Sequence, residues 1–186
     1  PESIESRWEE AWAVPSLVEI AKKAELEGAH GLIVDCMGDP GVEELREIVS
    51  IPVIGPCQSS MHLAANIGRG FGFLAGDETT AGQFGDQVRK AGLESHYVGS
   101  IPINMPVLDI TKDTTETLSL LCRSSEILVK EKKADTIILG CTGYRGLANP
   151  IREYLRKNDI NVSVIDPMSA SLRLLSLMIE EQIMHS

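Results

Sequence analysis

Aromatic residues are scarce, 4% of the 186 residues, and basic residues are outnumbered, 17 lysines and arginines against 27 aspartates and glutamates. The net charge of -10 argues against a nucleic-acid partner or an anionic membrane surface, since both attract basic patches. No apolar run approaches the length needed to span a bilayer. A cytoplasmic location is therefore expected, with a small-molecule substrate as partner and a homo-oligomer as a possible assembly. The four cysteines, Cys36, Cys57, Cys122 and Cys141, form no CxxC pair and no metal-ligand spacing with the four histidines. Neither a disulfide nor a bound metal is expected. A dinucleotide fingerprint is missing too: the glycines between Gly68 and Gly76 precede and enter a predicted strand when they should follow it. No cofactor is expected. The apolar fraction, 43%, is ample for the core of one domain or two small ones.

What the chain does have is a repeated setting for cysteine. Val34-Asp35-Cys36-Met37-Gly38-Asp39-Pro40-Gly41 follows an apolar run at 31–34, and Leu139-Gly140-Cys141-Thr142-Gly143 follows another at 136–139. Each run reads as a buried strand, and each motif leads into a helical pattern. A cysteine just past a strand, beside unpaired N–H groups and the positive end of a helix dipole, is expected to favour thiolate over thiol. One serving only as packing belongs inside the apolar run.

Along the chain, the opening segment reads as a short turn over 7–13 and then a helix from Pro15 to a stop at Gly28, with Leu17, Ile20, Ala21 and Ala24 as its apolar stripe. Trp8 and Trp12, one turn apart, are expected to pack against the body of the protein. Strand 31–35, helix 42–49, strand 51–54 and helix 59–67 follow. The second half reads as strand 71–75, helix 80–91, strand 96–103, helix 114–132, a strand into Cys141, helix 147–157, strand 162–165 and helix 169–183. Leu118, Leu121, Ile127 and Leu128 should face inward. Strands separated by single helices imply parallel pairing through right-handed crossovers. The second half has four strands and the first only two. Because the chain opens on Pro1, an upstream piece of roughly two strands and a helix is expected.

Cys36-Met37-Gly38-Asp39-Pro40-Gly41 resembles the C-F-G-D-P-G motif of hydantoin racemases, members of the aspartate/glutamate racemase superfamily, and Gly140-Cys141-Thr142-Gly143-Tyr144 resembles their second cysteine motif. Similar residues recur in the same order at Ser3-Ile4-Glu5, Ala13-Val14-Pro15, Ile51-Pro52-Val53-Ile54-Gly55, Met61-His62 with Ala64, Pro106-Val107-Leu108 and Val164-Ile165-Asp166. The resemblance implies an α/β fold of two similar domains, each a four-stranded parallel sheet flanked by helices, with the active site in the interdomain cleft. Residues 1–70 with 167–186 would form the first domain, lacking its N-terminal strands, and 71–166 the second. The last helix would cross back onto the first domain, and an asparagine-containing loop of the site would lie upstream of Pro1. Cys36 and Cys141 would be the catalytic pair, with Met37, Gly38, Thr80, Thr142 and Gly143 binding substrate and no metal or cofactor involved.

Two cysteines suit that chemistry. Inverting a carbon next to a carbonyl needs a base on one face and an acid on the other, so one pair must hold opposite protonation states. The planar enolate-like intermediate needs oxyanion donors, which backbone N–H groups at Met37 to Gly38 and Thr142 to Gly143 would supply. Ala75-Gly76 stands where the family usually presents hydroxyls to the substrate, although Thr80 matches a threonine a few residues on. Gly143 replaces the histidine or glutamate typical of amino-acid racemases, which leans the reading toward a 5-substituted hydantoin. Asp39 before Pro40 reads as the N-cap of the next helix. Asp35 and Asp166 end strands, where each orients a loop or touches ligand. Cys57 reads as a small apolar filler and Cys122 as buried, both outside the cleft, and His62 as a helix residue bonding a neighbouring loop. The alternatives are a maleate cis-trans isomerase-like or amino-acid racemase-like enzyme, and a binding protein without catalysis on the same fold. Retention of both cysteines speaks against a decarboxylase.

Overall fold

Every residue of Phe71–Ala75 is buried, and this run is an inner strand of the larger sheet. In a computed structural model, which describes residues 2–110 and 112–185, strands and helices alternate. They are α1 (Arg7–Leu26), β1 (Leu32–Ile33), α2 (Val42–Ile48), β2 (Val53–Ile54), α3 (Pro56–Ile67), β3 (Phe71–Ala75) and α4 (Glu78–Lys90). They continue as β4 (Tyr97–Pro102), α5 (Thr114–Lys130), β5 (Thr136–Leu139), α6 (Ala148–Lys157), β6 (Ser163–Ile165) and α7 (Pro167–Glu180). Among the described residues β1 and β2 form a two-stranded parallel sheet, and the other strands form a parallel sheet in the order β4-β3-β5-β6.

Alternation along the strands splits the larger core into two faces. Leu74, Ile137 and Leu139 pack with Leu121, Leu128, Ile151 and Leu155 from α5 and α6. Phe71, Phe73 and Ile138 pack with Phe84, Val88 and Met61 from α4 and α3, and the Phe73 and Phe84 rings stack at 4.2 Å. A third cluster, including Ala21, Val34, Val42, Leu45 and Val53, joins α1 and α2 to the small sheet. Helix α7 returns to pack on α3, β1 and β2. Its Ser171 hydroxyl meets that of Ser59 at 2.8 Å, and Leu175 lies where any side chain on Gly31 would collide with it.

Aspartate caps set several boundaries ahead of the first apolar residue. Asp77 accepts from the Thr80 N–H at 2.7 Å and Asp166 from the Ser169 N–H at 3.0 Å, so α4 and α7 begin two residues earlier than the hydrophobic pattern indicates. Three expectations are corrected. First, Pro15 lies inside α1 and does not open it. Ser6 caps the helix by accepting from the Glu9 N–H, while the Glu9 carboxylate reaches back to the Ser6 hydroxyl and the Glu5 N–H. The start is fixed there, although an interior proline forfeits one N–H bond and crowds the carbonyl four residues back. Second, the continuous helix turns Leu17, Val18 and Ala21 inward and leaves Ile20 exposed, and Trp8 and Trp12 stack on each other at 5.6 Å in solvent, 72% and 64% exposed. Third, Ile127 of α5 is exposed, because the buried face runs through Thr117, Leu121, Ser124, Ser125 and Leu128. The Ser125 hydroxyl satisfies itself on the Leu121 carbonyl at 2.7 Å, which lets a small polar residue share that buried face with the leucines.

Candidate active site

Cys36 and Cys141 follow the carboxyl ends of β1 and β5 and line one cavity of about 500 Å³. The two turns have the same design. At Cys141 the N–H of Gly143, two residues on, donates to the sulfur at 3.3 Å, and at Cys36 the N–H of Gly38, at the same spacing, favours the thiolate. Close approach is built in around both. A Cβ on Gly140 would overlap the carbonyl oxygen of Leu74 on the neighbouring strand, and one on Gly38 would overlap the carboxylate of Glu10 from α1. Neither turn runs straight into a long helix. Cys141 caps only the short 3-10 turn Thr142–Tyr144, and Gly38 to Gly41 separate Cys36 from α2.

That geometry overturns the expected thiolate. Burial pushes the Cys36 thiol up to about 12, with the Gly38 N–H opposing and the charges of Glu10 and Asp39 adding to the rise. Burial also pushes up Cys141, opposed by the Gly143 N–H and reinforced by Asp35 and Glu5. Desolvation therefore outweighs the single amide at each sulfur, and the resting form of both is the thiol.

Of the residues expected to bind substrate, Met37, Gly38, Thr80 and Thr142 line the cavity. The Met37 side chain itself is buried in the core, so it presents backbone. The Thr80 hydroxyl donates to Asp77 at 2.6 Å, which leaves its oxygen able to accept. Gly143 sits behind Cys141, outside the lining, with its N–H aimed at the sulfur. The free donors shift accordingly. Among the described residues the N–H groups of Met37 and Thr142 have no protein acceptor, whereas that of Gly143 serves the Cys141 thiol and that of Gly38 opposes the rise at Cys36.

Asp39 is also corrected. It adopts a left-handed backbone (φ 51°) and caps α3 in place of α2, accepting from the N–H groups of Cys57 at 2.9 Å and Gln58 at 2.8 Å. A side chain on Gly55 would fill the space its carboxylate occupies. Burial pushes this carboxyl up to about 7, against the Gln58 and Cys57 amides and Arg46. Asp166, besides capping α7, accepts from the Gly146 N–H at 3.1 Å and so braces the loop after Cys141. Cys57 and Cys122 are buried outside the cavity, and His62 bonds the Gln58 carbonyl of its own helix at 2.8 Å.

The sequence reading missed two walls. Arg7, Glu10, Ala11 and Val14 line the cavity from α1, and Gln83, Gln87 and Lys90 join the predicted Thr80 on α4. Both sets follow helical spacing, a signal that splitting α1 at Pro15 hid in the first case. An ion pair of Arg7 with Asp86 joins the two walls at the rim, while α4 reaches α2 through Lys90 and Glu43 (3.0 Å) and the Cys36 turn through the Gln87 amide, which donates to the Gly38 carbonyl at 2.6 Å. Among the described residues no three His, Cys, Asp or Glu side chains gather to hold a metal ion, and no helix is long and apolar enough to cross a membrane.

The family model for Asp/Glu/hydantoin racemase matches residues 1–175. The chain belongs to this family. It is an isomerase of the racemase type, 30% identical over 173 residues to a hydantoin racemase of Pseudomonas sp. (strain NS671), covering 93% of this chain and 68% of the relative. A hydantoin racemase of Rhizobium meliloti is also 30% identical, over 174 residues, covering 94% and 70%. An allantoin racemase structure from Klebsiella pneumoniae superposes with a TM-score of 0.92 at 27% identity, covering 99% of this chain and 73% of that one. The parallel α/β architecture of this racemase is thus the family's.

Proposed function

We propose that this racemase needs no cofactor and inverts the carbon next to a carbonyl in a 5-substituted hydantoin or a related neutral ring, with Cys36 and Cys141 as base and acid. The observation that carries this reading is the shared cavity, into which two matching Cys-x-Gly turns deliver one sulfur each. One thiolate removes the ring C–H proton and becomes a thiol. The opposite thiol gives its proton to the other face of the planar intermediate and becomes the thiolate. The unpaired N–H groups of Met37 and Thr142 suit the developing oxyanion, while Gly38 and Gly143 steady the sulfurs. We assign 1–70 with 167–186 to one domain and 71–166 to the other, a division supported by the return of α7 onto α3.

The charge of the lining favours a neutral ring over a dicarboxylic amino acid. Arg7 and Lys90 are each paired with a carboxylate at the rim, and among the described residues Glu5, Glu10 and Asp35 form no ion pair. An anionic substrate would meet like charge. The named relatives fit, since allantoin is itself a 5-substituted hydantoin. Enantiopure 5-substituted hydantoins in deuterated water, followed by polarimetry and mass spectrometry, test the reading. Rotation should decay as one deuterium enters at the stereocentre. Stable rotation without exchange across the panel would sink it.

A further inference from the structure

The carboxylates around the two thiols differ in what already holds them. Glu5 accepts from the Ser3 hydroxyl at 2.8 Å, Asp86 is paired with Arg7 and with Arg89 at 2.7 Å, and Asp35 is exposed. Glu10 is different. It is half-buried on the cavity side of α1, and its carboxylate presses on the Cα of Gly38 so closely that any side chain there would overlap it. Among the described residues no side-chain or backbone donor bonds to that carboxylate, and the nearby Arg7 guanidinium is committed to Asp86. Burial pushes the Glu10 carboxyl up, with Arg7 opposing.

An acceptor held beside one of the thiols with no protein donor among the described residues suits a substrate contact. A hydantoin ring carries carbonyl oxygens, which the free N–H groups of the two turns suit, and also ring N–H donors, which those groups cannot serve. A buried N–H left without an acceptor is disfavoured, and a site built to accept it discriminates strongly against an analogue that lacks it. We propose that Glu10 accepts a hydrogen bond from a ring N–H of the substrate and thereby makes the site specific for cyclic ureides with that N–H free. This rests on the proposed racemase reading of the Cys36 and Cys141 cavity and adds the residue that selects the ring. Glu10 does not move the reacting proton in this assignment.

The test pairs removal of the acceptor with removal of the donor. One 5-substituted hydantoin and its N1-methyl and N3-methyl derivatives are compared in the wild type, Glu10→Ala and Glu10→Gln, with far-UV circular dichroism as the check on folding. In the wild type, methylation at one of the two nitrogens should lower kcat/KM by about tenfold or more. In Glu10→Ala the parent compound should fall by a similar factor, and the same methylation should then cost less than about threefold. Glu10→Gln, which keeps an accepting oxygen without the charge, should lie between them. A methylation penalty that is undiminished in Glu10→Ala, or absent from the wild type, overturns the assignment. The racemase reading is read separately, from deuterium entry into the parent compound. If the wild type catalyses no exchange, calorimetric affinities for the same three compounds in the same variants decide the Glu10 contact, and failure to bind any of them rejects it as well.

Discussion

The amide of Gly143 lies 3.3 Å from the sulfur of Cys141 and donates to it. A hydrogen bond to sulfur favours thiolate, yet burial still raises this thiol, so the bond matters most at the moment when the charge forms. At Cys36 the Gly38 N–H opposes the rise in the same way, and the proposed base-and-acid pair would draw on both amides as each sulfur takes up charge.

Replacing either cysteine by serine removes a thiolate from one face only. Racemisation should drop about a hundredfold or more in Cys36→Ser and in Cys141→Ser, the usual worth of a positioned acid or base. Each variant should keep slow hydrogen exchange with a single enantiomer, and the two should select opposite hands. Deuterium incorporation into each pure enantiomer is the measurement. The same hand exchanged by both variants would replace the two-base scheme with a single-cysteine route.

Both thiols are pushed above the ordinary thiol range, Cys36 to about 12, so at neutral pH the enzyme holds little thiolate. Raising the pH should increase kcat/KM by about tenfold per unit between roughly pH 6.5 and 8, without a plateau below the ordinary thiol value. A flat profile over that range would show that the base is not a buried thiol.

Two glycines should respond to alanine with opposite signs. At Gly140 the new methyl would overlap the Leu74 carbonyl, which is backbone of the adjacent strand and cannot swing away. Gly140→Ala should destabilise by about 1–3 kcal/mol or more. At Gly82, inside α4, nothing lies within 4 Å, so Gly82→Ala should stabilise by roughly 0.5–1 kcal/mol. Urea midpoints at one pH compare the two directly, and equal midpoints would contradict the packing described for Cys141.

Asp39 titrates from a raised position, about 7, because burial outweighs the two α3 amides it accepts. A raised carboxyl binds its proton more tightly in the folded state. Its contribution to stability is therefore complete below the ordinary aspartate value and is lost as the pH rises through about 7. Relative to Asp39→Asn, the wild type should lose unfolding free energy between roughly pH 4 and 8. Urea titrations at the two ends check this, and a relative gain over that interval would mean that the amides dominate.

The sequence by itself determined the strands and the paired cysteines. Apolar runs ending in glycine-bearing turns are local patterns, and a motif such as Cys36-Met37-Gly38-Asp39-Pro40-Gly41 is contiguous, so both could be read without coordinates. Helix starts were less legible, since Asp77 and Asp166 act as caps only once their side chains turn back onto the chain. The charge state of the thiols was decided by tertiary structure alone: local context supplied an amide at each sulfur, whereas desolvation came from α1, α4 and the second cysteine turn closing over the first. The same holds for Asp39, whose neighbours in sequence suggested a cap on α2 but whose carboxylate reaches the amides of α3 across the space left by Gly55. Glu10 and Gln87 carry no motif. Their place beside Gly38 exists only because two helices far apart in the chain wall the same cavity, and burial and like-charge contact depend on that assembly, which no local pattern encodes.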